Sequence, residues 1–198
     1  MALDELVLTG RWVRLEPLRA AHARDLWDAA KEHDIWTYMM FDVRTTDDLR
    51  SWIEKRLEAQ RAGTALPFLQ RDAKTGLAFG STSLFDHEPA HRRIEIGHTW
   101  IGSSHRRTAA NTEAKLLLLA HAFDTLGMSR VQFKCDARNE RSRAAILRLG
   151  ATFEGVLRAW MLLPDGTPRD TCMFSILDRE WPTIRRRLEA RVAAPKAG

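Results

Sequence analysis

The stretch that most constrains this chain runs from Ile94 to Phe123, IEIGHTWIGSSHRRTAANTEAKLLLLAHAF. Ile94, Ile96 and His98 alternate with Glu95 and Gly97, the period of a strand, and Trp100 and Ile101 carry the apolar character to its end. Beyond Gly102 the period changes. Leu116, Leu119, Phe123 and Leu126 recur three and four apart, one face of a helix, and Leu118 and Ala122 widen that face. Between the two elements lies a basic, small-residue segment, His105 to Asn111. A strand that runs through such a loop into a helix presents unpaired backbone N–H groups and the positive end of the helix dipole. Arg106 and Arg107 add charge there, and Ala109 and Ala110 let a ligand come close to the main chain. The design is that of an anion cradle, suited to phosphate.

The charge of the chain is uneven in a way that agrees with this. Residues 1–99 hold 14 Lys/Arg against 16 Asp/Glu, whereas residues 100–198 hold 17 against 10. The basic excess lies in the half that carries the cradle and would draw a polyanion to it. Nucleic acid is the rival explanation. It is disfavoured, because no helix-turn-helix signature, zinc-finger spacing or aromatic RNA-binding pattern occurs. His98 and His105 are seven apart with no further ligand nearby, so no metal is expected. No apolar run approaches the roughly 20 residues that span a bilayer. The start, MALDELVLTG, lacks the basic segment of a secretory signal, and the two cysteines, Cys135 and Cys172, sit in strand-like runs and read as reduced core residues. A cytoplasmic protein with no membrane attachment is expected. With 198 residues, one domain with a sizeable core over 1–192 is predicted, followed by a disordered tail, 193–198.

The other elements follow from period and punctuation. Arg11–Leu18 reads as a first strand and Ala20–Lys31 as a helix. Thr45 to Asp48 is an N-cap cluster for a helix over Leu49–Ala62, which Gly63 ends. Leu66–Gln70 and Leu77–Phe85 read as strands joined by the turn DAKTG. Val131, Phe133 and Cys135 alternate in a further strand. Ser142–Leu149 is a short helix stopped by Gly150. Thr152–Leu163 and Thr167–Leu177 form a hairpin turned at Pro164-Asp165-Gly166, and Trp181–Val192 is a basic final helix.

Arg106-Arg107-Thr108-Ala109-Ala110-Asn111 resembles the Q/R-x-x-G-x-G/A pyrophosphate loop of the GCN5-related N-acetyltransferases, the GNAT superfamily, with Ala109 and Asn111 at two of its small positions. The continuation NTEAKLLLLAHAF is similar to the helix after that loop in the RimJ/RimL-type branch. A second block, Arg138 to Gly155, is similar to that branch's N-x-x-S signature, with Asn139, Ser142, Leu149, Gly150, Phe153, Glu154 and Gly155 in place. The resemblance covers roughly residues 10–182. It implies an α/β fold: a single mixed, mostly antiparallel sheet, splayed between its fourth and fifth strands and flanked by helices.

The resemblance also implies an activity, the transfer of acetyl from acetyl-CoA to a primary amine, with no metal. A protein or peptide N-terminal α-amine is the first choice of acceptor. A small amine, such as an amino-acid conjugate, antibiotic or polyamine, is the alternative. A non-catalytic acyl-CoA-binding protein is a different class. By the same resemblance, main chain at Trp100 and Ile101 holds the thioester and pantetheine, and Arg106, Arg107, Thr108, Ala109, Ala110, Asn111 and Thr112 hold the diphosphate. Asn139 binds the pantetheine arm, Ser142 reaches the sulfur, and Glu95 acts as base through water. Tyr38, Met39 and Phe41, in the run IWTYMMF, wall the acceptor pocket. Local readings compete with several of these. Ser142 also suits a helix cap, Glu95 a solvated residue paired with Arg92 or Arg93, and IWTYMMF plain core. Asp170 with Arg169 reads equally as a salt-bridged strand end or an acceptor contact. Phe174 stands where relatives often carry tyrosine, which excludes a phenolic proton donor there. Monomer and homodimer are both open.

Overall fold

The computed structural model describes residues 3–194. Eight strands form one open sheet: β1 (Leu8–Thr9), β2 (Val13–Pro17), β3 (Ala65–Asp72), β4 (Ala78–Glu88), β5 (Arg93–Ile101), β6 (Arg130–Asp136), β7 (Thr152–Leu162) and β8 (Pro168–Leu177). The order is β1-β2-β3-β4-β5-β6-β8-β7. Every neighbouring pair is antiparallel except β5–β6, which is parallel. The sheet is therefore mixed and mostly antiparallel. The two-residue β1, which no periodicity announces, lengthens the count of strands by one.

Five α-helices flank it: α1 (Ala23–Ala30), α2 (Thr46–Arg61), α3 (Ala109–Ala120), α4 (Glu140–Leu149) and α5 (Trp181–Ala193). Phe68 and Leu69, adjacent on β3, point to opposite faces and enter different cores. The larger core packs Leu118 and Leu119 of α3, Ile146 and Leu149 of α4, and Ile184 and Leu188 of α5 against Ile94, Ile96, Val131 and Phe133. The smaller packs α1 and α2 against Leu18, Leu69 and Trp100, with Trp36, Trp52 and Trp100 ring to ring at 5.3–6.1 Å. Ile35 and Trp36 are core, while Tyr38, Met39 and Phe41 are half-buried in an irregular connection between α1 and α2. Thr45 caps α2 in a capping box with Asp48, as its sequence announces.

Helix α3 buries a face rotated from the leucine pattern. Ala110, Ala114 and Leu118 are buried together with Glu113, Lys115 and Leu119, while Leu116 and Leu126 are only half-buried. The two charged residues are inside because each finds partners there. Glu113 accepts the backbone N–H groups of Arg11, Trp12 and Val13 at 2.6–2.9 Å and so fastens the start of β2 to the helix. Gly10 permits that approach, since a Cβ there would meet the Glu113 carboxyl carbon at 2.3 Å. After Ala120 the helix widens into a π-turn over His121–Thr125. Of the tail expected to be disordered, Ala193 is the last residue of α5, and residues from 195 on lie outside those described. No helix among the described residues is long and apolar enough to cross a membrane.

Candidate active site

The parallel pairing of β5 and β6 covers only Arg93–Arg130, Ile94–Val131 and Glu95–Gln132. β5 continues to Ile101 and β6 to Asp136 with no further pair between them, so the two strands separate beyond Glu95. Gln132 keeps β8 on its other side, and β5 keeps β4, so the fork is open in the middle of an otherwise continuous sheet. The resulting gap exposes main-chain groups of a strand that no other strand satisfies.

Glu95 sits at the fork and is 3% exposed. Its carboxylate meets Lys134 Nζ at 2.7 Å and Gln132 Nε2 at 3.1 Å. Burial pushes the carboxyl above its ordinary value, and the Lys134 ammonium opposes that without cancelling it. The reading of Glu95 as a solvated residue paired with Arg92 or Arg93 is thus overturned. Its partners come from β6, and they share its face because Gln132 and Lys134 alternate with the core residues Val131, Phe133 and Cys135. Farther along β5, His98 takes φ +48, lies tilted against the Phe85 ring at 4.2 Å, and burial lowers its pKa to about 3, so it stays neutral. His105 is committed elsewhere, 3.1 Å from Asp72 and stacked on Phe79.

At the far end of the gap, Gly102 N–H donates to Phe79 O at 2.8 Å. Strand alternation then turns the main-chain groups of Ile101 away from β4, toward the edge that β6 has left. Trp100, expected to share that role, instead turns its carbonyl toward β4, 3.4 Å from Gln70 Nε2, and its ring into the tryptophan cluster. The Ile101 carbonyl accepts Arg106 Nε at 3.3 Å.

The loop expected to cradle an anion runs straight into α3. Thr108 is the N-cap; its hydroxyl accepts Ala110 N–H at 3.3 Å and donates to His105 O at 2.8 Å. By position, Ala109 and Asn111 present N–H groups without a helical acceptor, whereas Thr112 is one residue too far in. The buried Asn111 Oδ1 has no hydrogen-bond partner among the described residues. The two arginines part company here. Arg106 is held by Asp34 at 2.6 and 2.8 Å and by Glu32 at 3.3 Å, so it braces the α1–α2 connection against the loop rather than standing open for a ligand. Arg107 is exposed, makes no ion pair among the described residues, and takes φ +58, the left-handed conformation that favours glycine. Asp34 also receives Arg141 of α4 at 3.0 Å, and the arginines hold its pKa down to about 2.

Asn139 is the cap of α4: its Oδ1 accepts Ser142 N–H at 2.9 Å. That role was open to Ser142, which instead lies in the first turn with its hydroxyl beside the Cys135 thiol. Cys135 and Cys172 face each other across β6 and β8 as free thiols, and burial raises the Cys135 pKa to about 11. Arg169 and Asp170 do not pair with each other. Asp170 accepts Ala159 N–H at 2.8 Å, and Arg169 faces Asp136 at 3.7 Å.

A cavity of about 610 Å³ lies between the α1–α2 connection and the tip of the β7–β8 hairpin. Trp36, Met39 and Phe41 form its apolar wall, Asp42 and Arg44 a charged one, and Leu163, Pro164 and Asp165 close it from the hairpin. Tyr38 is not part of it; its ring lies 5.8 Å from the Arg138 guanidinium. The residue next to Asp34, His33, lines the cavity, so the connection joins it to the loop before α3 through Arg106.

The sheet thus forks at a buried carboxylate, with the N-terminus of α3 following the far end of β5. The acetyltransferase (GNAT) domain family matches residues 13–152, and the chain belongs to that family. A GCN5-related N-acetyltransferase from Brucella melitensis superposes with a TM-score of 0.92 at 33% identity, covering 100% of this chain and 91% of that one. RimJ of Mycobacterium smegmatis, solved in complex with CoA-disulfide, superposes with a TM-score of 0.73 at 25% identity over 90% of this chain and 88% of that one. Among curated relatives, the N-acetyltransferase YoaA of Bacillus subtilis is 38% identical over 87 residues, 44% of this chain; the chain spans about half of its length, 48%. The ribosomal-protein-serine acetyltransferase of Escherichia coli is 23% identical over 167 residues, 82% of this chain and 92% of that protein. The last of these likenesses and that to RimJ support the RimJ/RimL-type branch.

Proposed function

We propose that this chain moves an acetyl group from acetyl-CoA to a primary amine, with a peptide or protein N-terminal α-amine as the first choice. The observation that carries the reading is the fork: the β5–β6 pairing ends at Glu95, and Glu95 is buried there with an ammonium at 2.7 Å. Acetyl-CoA supplies the activated acyl group. The residues of the chain do the rest. Ala109 and Asn111 N–H groups with Arg107 hold the diphosphate at the start of α3, and Ile101 main chain and Asn139 line the arm between β5 and α4.

The acceptor amine must lose a proton before it can attack. Glu95, whose ionised form the Lys134 ammonium favours, takes that proton through water. The Ser142 hydroxyl, at the start of α4, hydrogen-bonds the sulfur as negative charge develops on it. Asp42 and Asp165 in the cavity wall favour a cationic acceptor. The name of the Escherichia coli relative supports a ribosomal protein as the kind of acceptor. The test is thiol release from acetyl-CoA against a panel of N-terminal peptides and small amines. Peptides with free α-amines are expected to turn over fastest. A preference for polyamines or aminoglycosides would move the acceptor to small molecules, and no release with any amine would leave only acyl-CoA binding.

A further inference from the structure

Arg56 Nε, Ser83 Oγ and His98 Nδ1 are buried with no hydrogen-bond partner among the described residues. Ser83 and Phe85 flank Leu84 on an unbroken stretch of β4, and Leu84 enters the larger core, so both face the other way, toward α2. His98 lies against the Phe85 ring at 4.2 Å on that face. Arg56 stands one turn after Trp52 on the buried side of α2, 5.9 Å from the Trp52 ring. Trp52 packs in turn on Trp36 of the cavity wall at 6.1 Å. His98 is three residues past Glu95 on β5, and the charges of Arg56 and Lys134 both reach it and help keep its ring neutral. Arg56 therefore lies between the cavity and the fork.

No carboxylate among the described residues answers this guanidinium. Burial lowers its pKa, and no acid raises it. The acids of the flanking elements are engaged elsewhere, Glu54 by Arg61 and both Asp86 and Glu95 by Lys134. A half-buried cation without a counter-ion is destabilising, and a bound anion relieves it. We propose that Arg56 and His98 recognise a carboxylate carried a few bonds from the amine of the acceptor. This deepens the acetyl-transfer reading and rests on it for the place of the amine at Glu95. The guanidinium offers charge and paired donors, and a neutral imidazole protonated at Nδ1 donates to the same group. One uncompensated positive charge matches one carboxylate, since the charge of Lys134 is already met. Asp42 and Asp165 in the cavity wall repel such a group and so turn it toward Arg56. The carboxylate has two sources, an acidic side chain on the first residue of a peptide or the α-carboxylate of a free amino acid.

Acetyl transfer and calorimetric binding on the full chain test this with matched acceptors. One pair is a C-terminally amidated peptide that starts in glutamate and its glutamine counterpart; the other is alanine and alaninamide. The carboxylate is expected to raise kcat/KM by about tenfold or more in one pair, mainly through KM. Preference within the peptide pair assigns it to a side chain, and preference for alanine over alaninamide assigns it to a free amino acid. Arg56→Met is expected to bring the ratio of the preferred pair close to one, and Arg56→Lys to retain part of it. An unmodified protein that treats both members of both pairs alike overturns the proposal, and so does a preference that Arg56→Met leaves intact. Binding separates this from the acetyl-transfer reading. A carboxylate preference in binding that is lost in Arg56→Met, with no thiol release from any acceptor, would keep the site and discard the transfer.

Discussion

Lys134 Nζ lies 2.7 Å from the Glu95 carboxylate, two residues beyond the last pair that β5 and β6 share. The pair is buried on the carboxylate side and half-open on the ammonium side, so the cation tunes the carboxyl from the edge of the gap. Burial raises the Glu95 pKa and Lys134 restrains the rise.

A base works when deprotonated, so activity falls as pH drops through the raised Glu95 pKa. The acidic limb of kcat/KM is expected above the ordinary glutamate range. Glu95→Gln should lower kcat/KM by about 10²–10⁴ and erase that limb. Lys134→Met removes the cation that favours the carboxylate, so the limb should move to higher pH. A limb that stays in place in Lys134→Met would detach it from Glu95.

Lys115 Nζ is buried between the hydroxyls of Thr82 at 3.0 Å and Thr99 at 2.6 Å, with no carboxylate in reach among the described residues. Burial lowers its pKa from 10.5 to about 7. Below pH 7 both folded and unfolded chains carry the proton, and the folded state bears the full penalty of a buried charge. Between 7 and 10.5 the unfolded chain holds a proton that the folded one lacks, so stability rises with pH. Lys115→Met should therefore stabilise most below pH 7, on the order of 1.4 kcal/mol for each unit of displaced pKa, with the gain vanishing near pH 10. Thr82 and Thr99 stay satisfied because their hydroxyls are 2.8 Å apart. Chemical denaturation of both proteins at pH 6, 8 and 10 measures this, and a pH-independent difference would refute it.

Arg107 and Asp34 are expected to act on the cofactor with opposite signs. Arg107→Glu should raise the KM for acetyl-CoA at least tenfold with turnover nearly unchanged, because it meets a part of the molecule that does not react. Asp34→Asn removes a carboxylate from between two guanidiniums, Arg106 and Arg141. It should lower that KM a few-fold, more at low salt than at high. Equal KM values across all three proteins would place the diphosphate elsewhere.

What the sequence conveyed and what it did not divide along contact distance. The strand over Ile94–Ile101, the N-cap at Thr45 and the hairpin turn at Pro164 rest on neighbours in the chain, and each was readable from period and turn chemistry. Arg106 and Arg107 are indistinguishable in sequence. What separates them is Asp34, 72 residues away from Arg106. Lys134 as the partner of Glu95 required the parallel register of two strands joined through a helix, although the alternation of Gln132 and Lys134 with Val131, Phe133 and Cys135 put both on one face. Nothing local to Lys115 announces the two threonines from β4 and β5 that enclose it. The exposure of β7 was hidden for a similar reason. Its residues suit an inner strand, and only the order β6-β8-β7 reveals it as the edge.

Ser142 offers the sharpest separation of structure from chemistry. Two roles fitted its place in the chain, a cap for α4 and a hydrogen bond to the leaving sulfur. The structure gives the cap to Asn139, whose Oδ1 receives Ser142 N–H at 2.9 Å, so the serine hydroxyl has no part in closing the helix. A thiol with a pKa near 8.5 leaves as thiolate without full protonation, so a weakly acidic hydroxyl need only stabilise charge on the sulfur. That contact exists mainly in the transition state. Ser142→Ala should lower turnover by roughly tenfold to several hundredfold, about 1.4–3.5 kcal/mol of barrier, with KM for acetyl-CoA and melting temperature nearly unchanged. Asn139→Ala supplies the contrast, since loss of the cap lowers stability by about 1 kcal/mol. Turnover and melting temperature are read on the same samples. Normal turnover in Ser142→Ala would remove the serine from the reaction, and the sulfur would then depart with help from solvent alone.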